Sequence, residues 1–347
     1  MKKSNKKGVI LCCFMYFITV AAFTQSLSDV KMYNELTQKA EINITNFKFD
    51  SALVNYNLAF EMETYHHTVD LYNACISTVY IKNFSDTQFF VEQLLLRGFP
   101  LNFFLQKVVF SEFRRSPNWL NMLSKYPSID NECRKSLHWG LRARIEAMYI
   151  RDQFFAGSAS GEERSDILAK VNKDNRDSVL SIINIHGYPN DKTMGVFFDS
   201  DTIYNTSSNR LHMLLFHMYQ TGYYIDKTLK QLVFSGEVKP EEFIRLHDIE
   251  LGSMSWKSTY GSEPFCKNGN KIYKRKFSED MVASINLLRK EVMGVDYETF
   301  CLKLEKERFL ELSEFKLAPY HWIIKFNPPM GDKFMNSYYT ETNFTLK

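Results

Sequence analysis

The sequence predicts a mainly α-helical protein, in which paired helices repeating every 34 to 35 residues lead into a second, mostly helical region with little β-structure. Three observations predict it. Between Gln25 and Ile150 the only glycines are Gly98 and Gly140, and apolar residues there recur at helical rather than alternating spacing. Small and aromatic residues recur at one period: Ala40 and Ala74 lie 34 apart, as do Tyr56 and Phe90, while Ala59 and Leu94 lie 35 apart. Apolar residues make up 45% of the chain and charged residues 24%, the balance of a globular protein with a large core.

The first element is an export leader. Lys2, Lys3, Lys6 and Lys7 precede sixteen uncharged residues, Gly8 to Phe23, a basic n-region before an apolar h-region. The run is shorter than a spanning helix needs, and Thr24, Gln25 and Ser26 suit cleavage. The mature chain is therefore expected to start near Gln25 and to reside in the periplasm or outside the cell, with contact to a membrane only through the leader. A retained anchor is the alternative. Removing residues 1–24 takes the formal charge from +3 to −1, so the protein lacks the positive field that nucleic acid requires. Cys75, Cys133, Cys266 and Cys301 remain; their spacing fits no metal template, and buried thiols are expected rather than staples.

In the first region one helix is expected from about Val30 to Asn46 and a second after Asp50, placed to cap it. A third covers about Thr68 to Ile81. The fourth begins at Ser85, where Ser85-Asp86-Thr87-Gln88 has the pattern of a capping box, and stops at Gly98 with Pro100 beyond. Small residues let two helices of a pair cross closely, and aromatic residues fill the groove toward the next pair, so the period has a physical reason. The stretches Phe49-Asp50-Ser51-Ala52 and Asp70-Leu71-Tyr72-Asn73-Ala74 resemble tetratricopeptide repeats of exported bacterial proteins, over roughly residues 30–100. The resemblance implies a curved face suited to a peptide or a partner protein, or to bracing a neighbouring domain. A less regular unit follows, with Leu101 to Phe110 and, after Ser116-Pro117, Trp119 to Tyr126. The repeats are assigned to residues 25–128.

The second domain is assigned to residues 129–310. A long helix from about Asp130 to Phe155 runs into a joint, Gly157 to Gly161. Further helices are expected at Ser165 to His186 before Gly187, from Ser208 to Gly222, at Asp226 to Ser235, at Pro240 to Leu251 and at Ser278 to Met293. Arg151-Asp152-Gln153, Asp174-Asn175, Gly187-Tyr188-Pro189, His217, Gly236-Glu237-Val238, Leu246-His247-Asp248, Tyr260-Gly261 and Asn286 to Arg289 follow one another in an order similar to an uncharacterised bacterial domain family, one of unknown function. The resemblance covers about residues 150–305 and implies no reaction. Residues 311–347, with Tyr320, Trp322 and Pro328-Pro329, read as an extended segment packing back as a strand or strap.

Candidate chemistry is confined to one constellation. Leu211, Met213, Leu214, Leu215, Phe216, Met218 and Tyr219 leave their helix almost no polar face, so His212 and His217 are buried with it. A buried imidazole needs hydrogen-bond partners, and Asp248, Asp152 or Tyr260 could supply them. One reading is a core histidine satisfied by a carboxylate; the other is a hydrolase-type site with His217 as base, Asp248 as its orienter and Asp152 or Tyr260 nearby. The two histidines are five residues apart, about 140° around a helix, so they do not share a metal-binding face. No serine-hydrolase elbow, phosphate loop or dinucleotide fingerprint occurs, and no cofactor or metal is expected. Lys271, Lys274, Arg275 and Lys276 are followed at once by Glu279 and Asp280 and read as a solvated surface. The composite expectation is a scaffold that binds a protein or peptide, with the hydrolase as its rival.

Overall fold

The computed structural model describes residues 27–158, 162–198, 210–250, 259–308, 312–318, 324–326 and 329–343. The leader over 1–24, residues 159–161 of the joint, the Ser208 cap and Tyr320, Trp322 and Pro328 of the last segment lie outside the described residues. Among those described the fold is mainly α. Helix α1 spans 27–45, and α2 Phe49–Phe60, α3 Thr68–Tyr80, α4 Phe84–Leu96 and α5 Leu101–Gln106 follow. Two 3₁₀ turns, Val108–Phe110 and Phe113–Arg115, lead to α6, Pro117–Ser136. Helix α3 packs on α2, α4 on α3 and α6 on α4. All six residues that set the period, Ala40, Ala74, Tyr56, Phe90, Ala59 and Leu94, are buried.

The loops joining α1 to α2 and α3 to α4 are one turn displaced by 35 residues. Phe47 and Lys82 both take left-handed backbone, φ 58° and 56°. Phe47 N donates to Ile44 O at 2.9 Å and Lys82 N to Val79 O at 3.1 Å, while Lys48 N donates to Asn43 O at 2.9 Å and Asn83 N to Thr78 O at 3.0 Å. These bonds satisfy the last carbonyls of each helix. The caps differ from those expected: α2 starts at Phe49 with Asp50 inside its first turn, and α4 is capped by Asn83, whose side chain accepts from Asp86 N, so Ser85 does not cap it. The Asn83 amide also donates to the Asp86 carboxylate at 2.9 Å, fixing the cap two residues early.

The single helix expected from Asp130 to Phe155 is two, α6 and α7 (Trp139–Ser158). At the break Leu137 is extended and buried, and His138 N leaves the helical ladder to donate to Thr193 O at 2.8 Å. The His138 ring then accepts from Leu141 N at 3.0 Å and caps α7. Helix α8 is Glu162–His186 and the short α9 is Asp191–Met194; α10 Arg210–Gln220, α11 Asp226–Phe234 and α12 Pro240–Glu250 come next. Strands β1 (Phe265–Asn268) and β2 (Lys271–Arg275) form a hairpin, so the basic residues of 271–276 run along a strand. After α13 (Glu279–Glu291) and α14 (Tyr297–Arg308), β3 (Ile324–Phe326) joins β1 in parallel and β4 (Tyr339–Glu341) joins β2 antiparallel, giving the order β3-β1-β2-β4. The last segment therefore supplies two strands, and it also carries a short helix, α15 (Asp332–Tyr338), where an extended chain was expected. All four described cysteines are buried free thiols. No helix among the described residues is long and apolar enough to cross a membrane.

Two large cores result. One runs from Ala40 to Ile129 and takes in Val196, Leu312, Phe315 and Leu317; the other runs from Leu141 on α7 to Val292 after α13. Between them lies a sealed polar network. Helix α3 is buried on every side from Thr68 to Val79, yet it carries Asp70, which accepts from the Tyr33 hydroxyl at 2.6 Å and the Lys239 ammonium at 2.6 Å. Lys239 also lies 3.8 Å from Glu41, and Glu41 pairs with Lys303 of α14 at 2.5 Å. All five groups are at most 5% exposed. Burial works against the Lys239 ammonium, but Asp70 and Glu41 outweigh it and raise its pKa; burial raises the Glu41 carboxyl despite Lys303 and Lys239. Gly236 of the α11–α12 turn closes the same seam: its φ is +79°, and a Cβ there would stand 2.4 Å from Thr64 Oγ1.

His67, beside this network, gives it a pH signature. Burial, reinforced by Lys239 and Arg97, lowers its imidazole well below 6.5. The unfolded chain binds a proton near that pH which the native protein does not. Stability present above it is thus lost as pH falls, by up to about 1.4 kcal/mol per pH unit. Asp191, raised to about 6 chiefly by burial, and Glu41 act in the opposite sense, because the native state holds their protons longer. The His67→Gln variant isolates the histidine: urea denaturation from about pH 7 to 5 is expected to show a smaller acid-side loss than the parent. Equal slopes for the two proteins would contradict this account.

Candidate functional site

The residues singled out from sequence separate into two places. At the first, α7 brings Asp152 against His217 near the end of α10, with 2.5 Å between Asp152 Oδ2 and His217 Nδ1. The carboxylate is wholly buried, whereas the imidazole is 19% exposed. A carboxylate on Nδ1 fixes the tautomer and leaves the lone pair on Nε2, the protonation pattern that lets a histidine accept a proton from a bound molecule. Gln153 donates to the same Asp152 oxygen at 3.0 Å. Helix α8 closes the group: Asn172 donates to His217 O at 3.2 Å and to Thr221 Oγ1 at 3.1 Å, and Asn175 accepts from the Arg151 guanidinium at 2.9 Å. Asp152 Oδ1, Asn172 Oδ1 and Asn175 Nδ2 are buried without a hydrogen-bond partner among the described residues. Buried polar atoms in that state call for water or a ligand.

At the second place, α12 points Asp248 at the loop after it, not at His217. Its two oxygens accept from Tyr260 N at 2.9 Å and Ser262 N at 2.8 Å. The expectation that Asp248 orients His217 is therefore corrected: two main-chain N–H groups hold the carboxylate as a loop anchor, and Asp152 takes the orienting position. The Tyr260 carbonyl accepts from Arg289 at 2.6 Å, and burial, with Asp248 next, pushes its phenol up to about 12. Its ring lies edge-on to His247, at 5.3 Å and 82°. His247 in turn lies 3.2 Å from Asp226, which also accepts from the Tyr219 hydroxyl at 2.6 Å. Burial raises the Asp226 carboxyl, but the bonds from His247 and Tyr219 prevail and hold it below its usual range.

His212, on a different side of α10 from His217, lies 3.3 Å from Glu242, and Glu242 accepts from the Tyr188 hydroxyl at 3.2 Å. The two histidines thus serve separate carboxylates. No group of three or more His, Cys, Asp or Glu residues among the described residues is arranged to hold a metal. Sequence reasoning passed over Asn172 and gave Asn175 no role. Their spacing of three on α8 was the available signal, since such residues share one helix face. No protein-family model, curated protein or solved structure matches this chain.

Proposed function

We propose that the protein is an exported interaction scaffold, built on tetratricopeptide-like helix pairs that brace the C-terminal domain on one side and meet a partner protein on the other. The observation that carries this reading is the surface of α2, α4 and α6. Val54 and Leu58 on α2, Phe89 on α4 and Leu120 on α6 all face solvent, Leu120 at 68% exposure, while α3 between them is sealed. Large apolar side chains shown by each of several packed neighbours suit a protein contact. The turn repeated at 35 residues supports the helix-pair reading.

A photo-crosslinking residue at Phe89 or Leu120 in the producing cell is expected to yield one reproducible adduct, lost when Leu58→Glu is added. Trp139, exposed on α7, serves as the control position. No adduct at either position sinks the scaffold.

One observation favours a second reading, a hydrolase-type enzyme: the Asp152–His217 pair, with its buried carboxylate and partly exposed imidazole. If that reading holds, purified protein cleaves ester, phosphate or peptide probes, and His217→Gln abolishes the turnover while leaving the melting temperature within a few degrees. If the pair is structural, no probe is turned over and His217→Gln lowers stability by about 1–3 kcal/mol, because Asp152 loses its buried partner.

A further inference from the structure

Residues 312–318, Leu-Ser-Glu-Phe-Lys-Leu-Ala, lie against the first helices as a chain of turns and bends, with Phe315 N donating to Leu312 O at 3.0 Å. Asn73 of α3 grips the main chain at two points, donating to Lys316 O at 2.9 Å and accepting from Lys316 N at 2.8 Å. The Tyr72 hydroxyl donates to Glu314 O at 2.9 Å. These bonds read backbone and leave side-chain choice to the pockets. The Phe315 ring stacks on Phe49 (5.7 Å, 6°) and on Tyr80 (5.7 Å, 18°), and Leu312 and Leu317 are buried to either side. At the rim Lys107 meets the Glu314 carboxylate at 3.4 Å, both about one-third exposed.

The groove is longer than its occupant. Beside Glu314 a cavity of about 420 Å³ remains, lined by Val79, Tyr80, Val108 and Val109 with Lys82 and Glu112. Val108 is 79% exposed. An apolar pocket with an ion pair at its edge, continuous with a segment held through its backbone, fits a longer segment than residues 312–318 alone.

We infer that this groove is a receptor for a segment of a partner protein, kept shut by residues 312–318 of the same chain. The partner segment carries the same pattern: an aromatic residue with an acid directly before it, an aliphatic residue three before and another two after. The inference rests on the interaction reading but concerns a different face, so crosslinking at Phe89 and Leu120 can fail while this groove still binds, and the reverse.

The test uses the full chain and a fluorescent peptide of sequence Leu-Ser-Glu-Phe-Lys-Leu-Ala. Cis occupancy lowers apparent affinity by the fraction of open grooves, so Phe315→Ala with Leu317→Ala is expected to bind the peptide about tenfold or more tighter than the parent. Adding Asn73→Ala is expected to remove the gain, and a peptide with Ala in place of Phe is expected not to bind. A folded double variant that ignores the peptide overturns the inference, as does one that closes its groove by pairing with a second copy, seen as a dimer on size exclusion. Should the double variant not fold, hydrogen exchange on the parent decides: excess peptide is expected to speed exchange at the Lys316 amide, with the Cys75 amide of α3 unchanged. Unaltered exchange at Lys316 overturns the inference equally.

Discussion

Replacing Asp70 with alanine is expected to destabilise the protein by about 3–5 kcal/mol, because it leaves a buried ammonium without its nearest counter-charge. Lys239 is 2.6 Å from Asp70 but 3.8 Å from Glu41, and Glu41 is already engaged by Lys303 at 2.5 Å, so the remaining carboxylates offset the loss only in part. The Tyr33 hydroxyl, which donates to Asp70 and accepts from His67 N at 3.0 Å, would lose its acceptor too. Taking both charges out is a different matter. Asp70→Leu combined with Lys239→Met removes the desolvation of both ions and is expected to recover most of the loss. Equilibrium urea denaturation of the two single variants and the pair forms the cycle. Additive losses would show that the two groups do not act as one unit.

Phe103→Ala is expected to cost about 3–5 kcal/mol, the range for deleting a buried aromatic ring whose cavity cannot collapse. Phe103 is fully buried and edges onto Phe99 at 5.3 Å, Phe104 at 5.2 Å and Phe198 at 5.9 Å, with Tyr72 at 6.1 Å. Those rings come from α3, α5, the loop before α5 and the 196–198 stretch, so no one element can move in to fill the space. Phe103→Leu, which keeps most of the volume, is expected to lose much less. Urea midpoints for the two variants check this, and a loss under about 1 kcal/mol for alanine would mean that the rings repack freely.

How far the sequence disclosed these features depended on how local their causes are. The first four helices were legible because their apolar spacing and breaks are written within each segment. The hairpin was legible and was passed over: Gly269-Asn270 between β1 and β2 is a two-residue hairpin signal, and Gly269 takes φ +59°. The break at Leu137 had no local sign, since Thr193, more than fifty residues on, sets it. The burial of His212 could be read from its helix, whereas His217, expected to be buried with it, keeps 19% exposure, and its carboxylate could not be read. The sequence favoured Asp248 over Asp152, but the direction of α12 turns Asp248 toward Tyr260 N and Ser262 N. The polar network was the least legible. Asp70 sits between Val69 and Leu71 at the start of an apolar helix, which marks it as anomalous, but nothing near it names Lys239 as its partner.

That network also constrains the order in which the chain can mature. A polypeptide is made from its N-terminus, and the acids Glu41 and Asp70 emerge well before Lys239 and Lys303. Until those lysines arrive, α3 cannot be sealed without stranding two carboxylates in an apolar setting, which is strongly disfavoured. The early helices must therefore wait, partly open, for the distal half. A nascent or truncated product ending before Lys239 would thus have a lasting need for a holding chaperone, and proteases would find it long before they find the finished molecule.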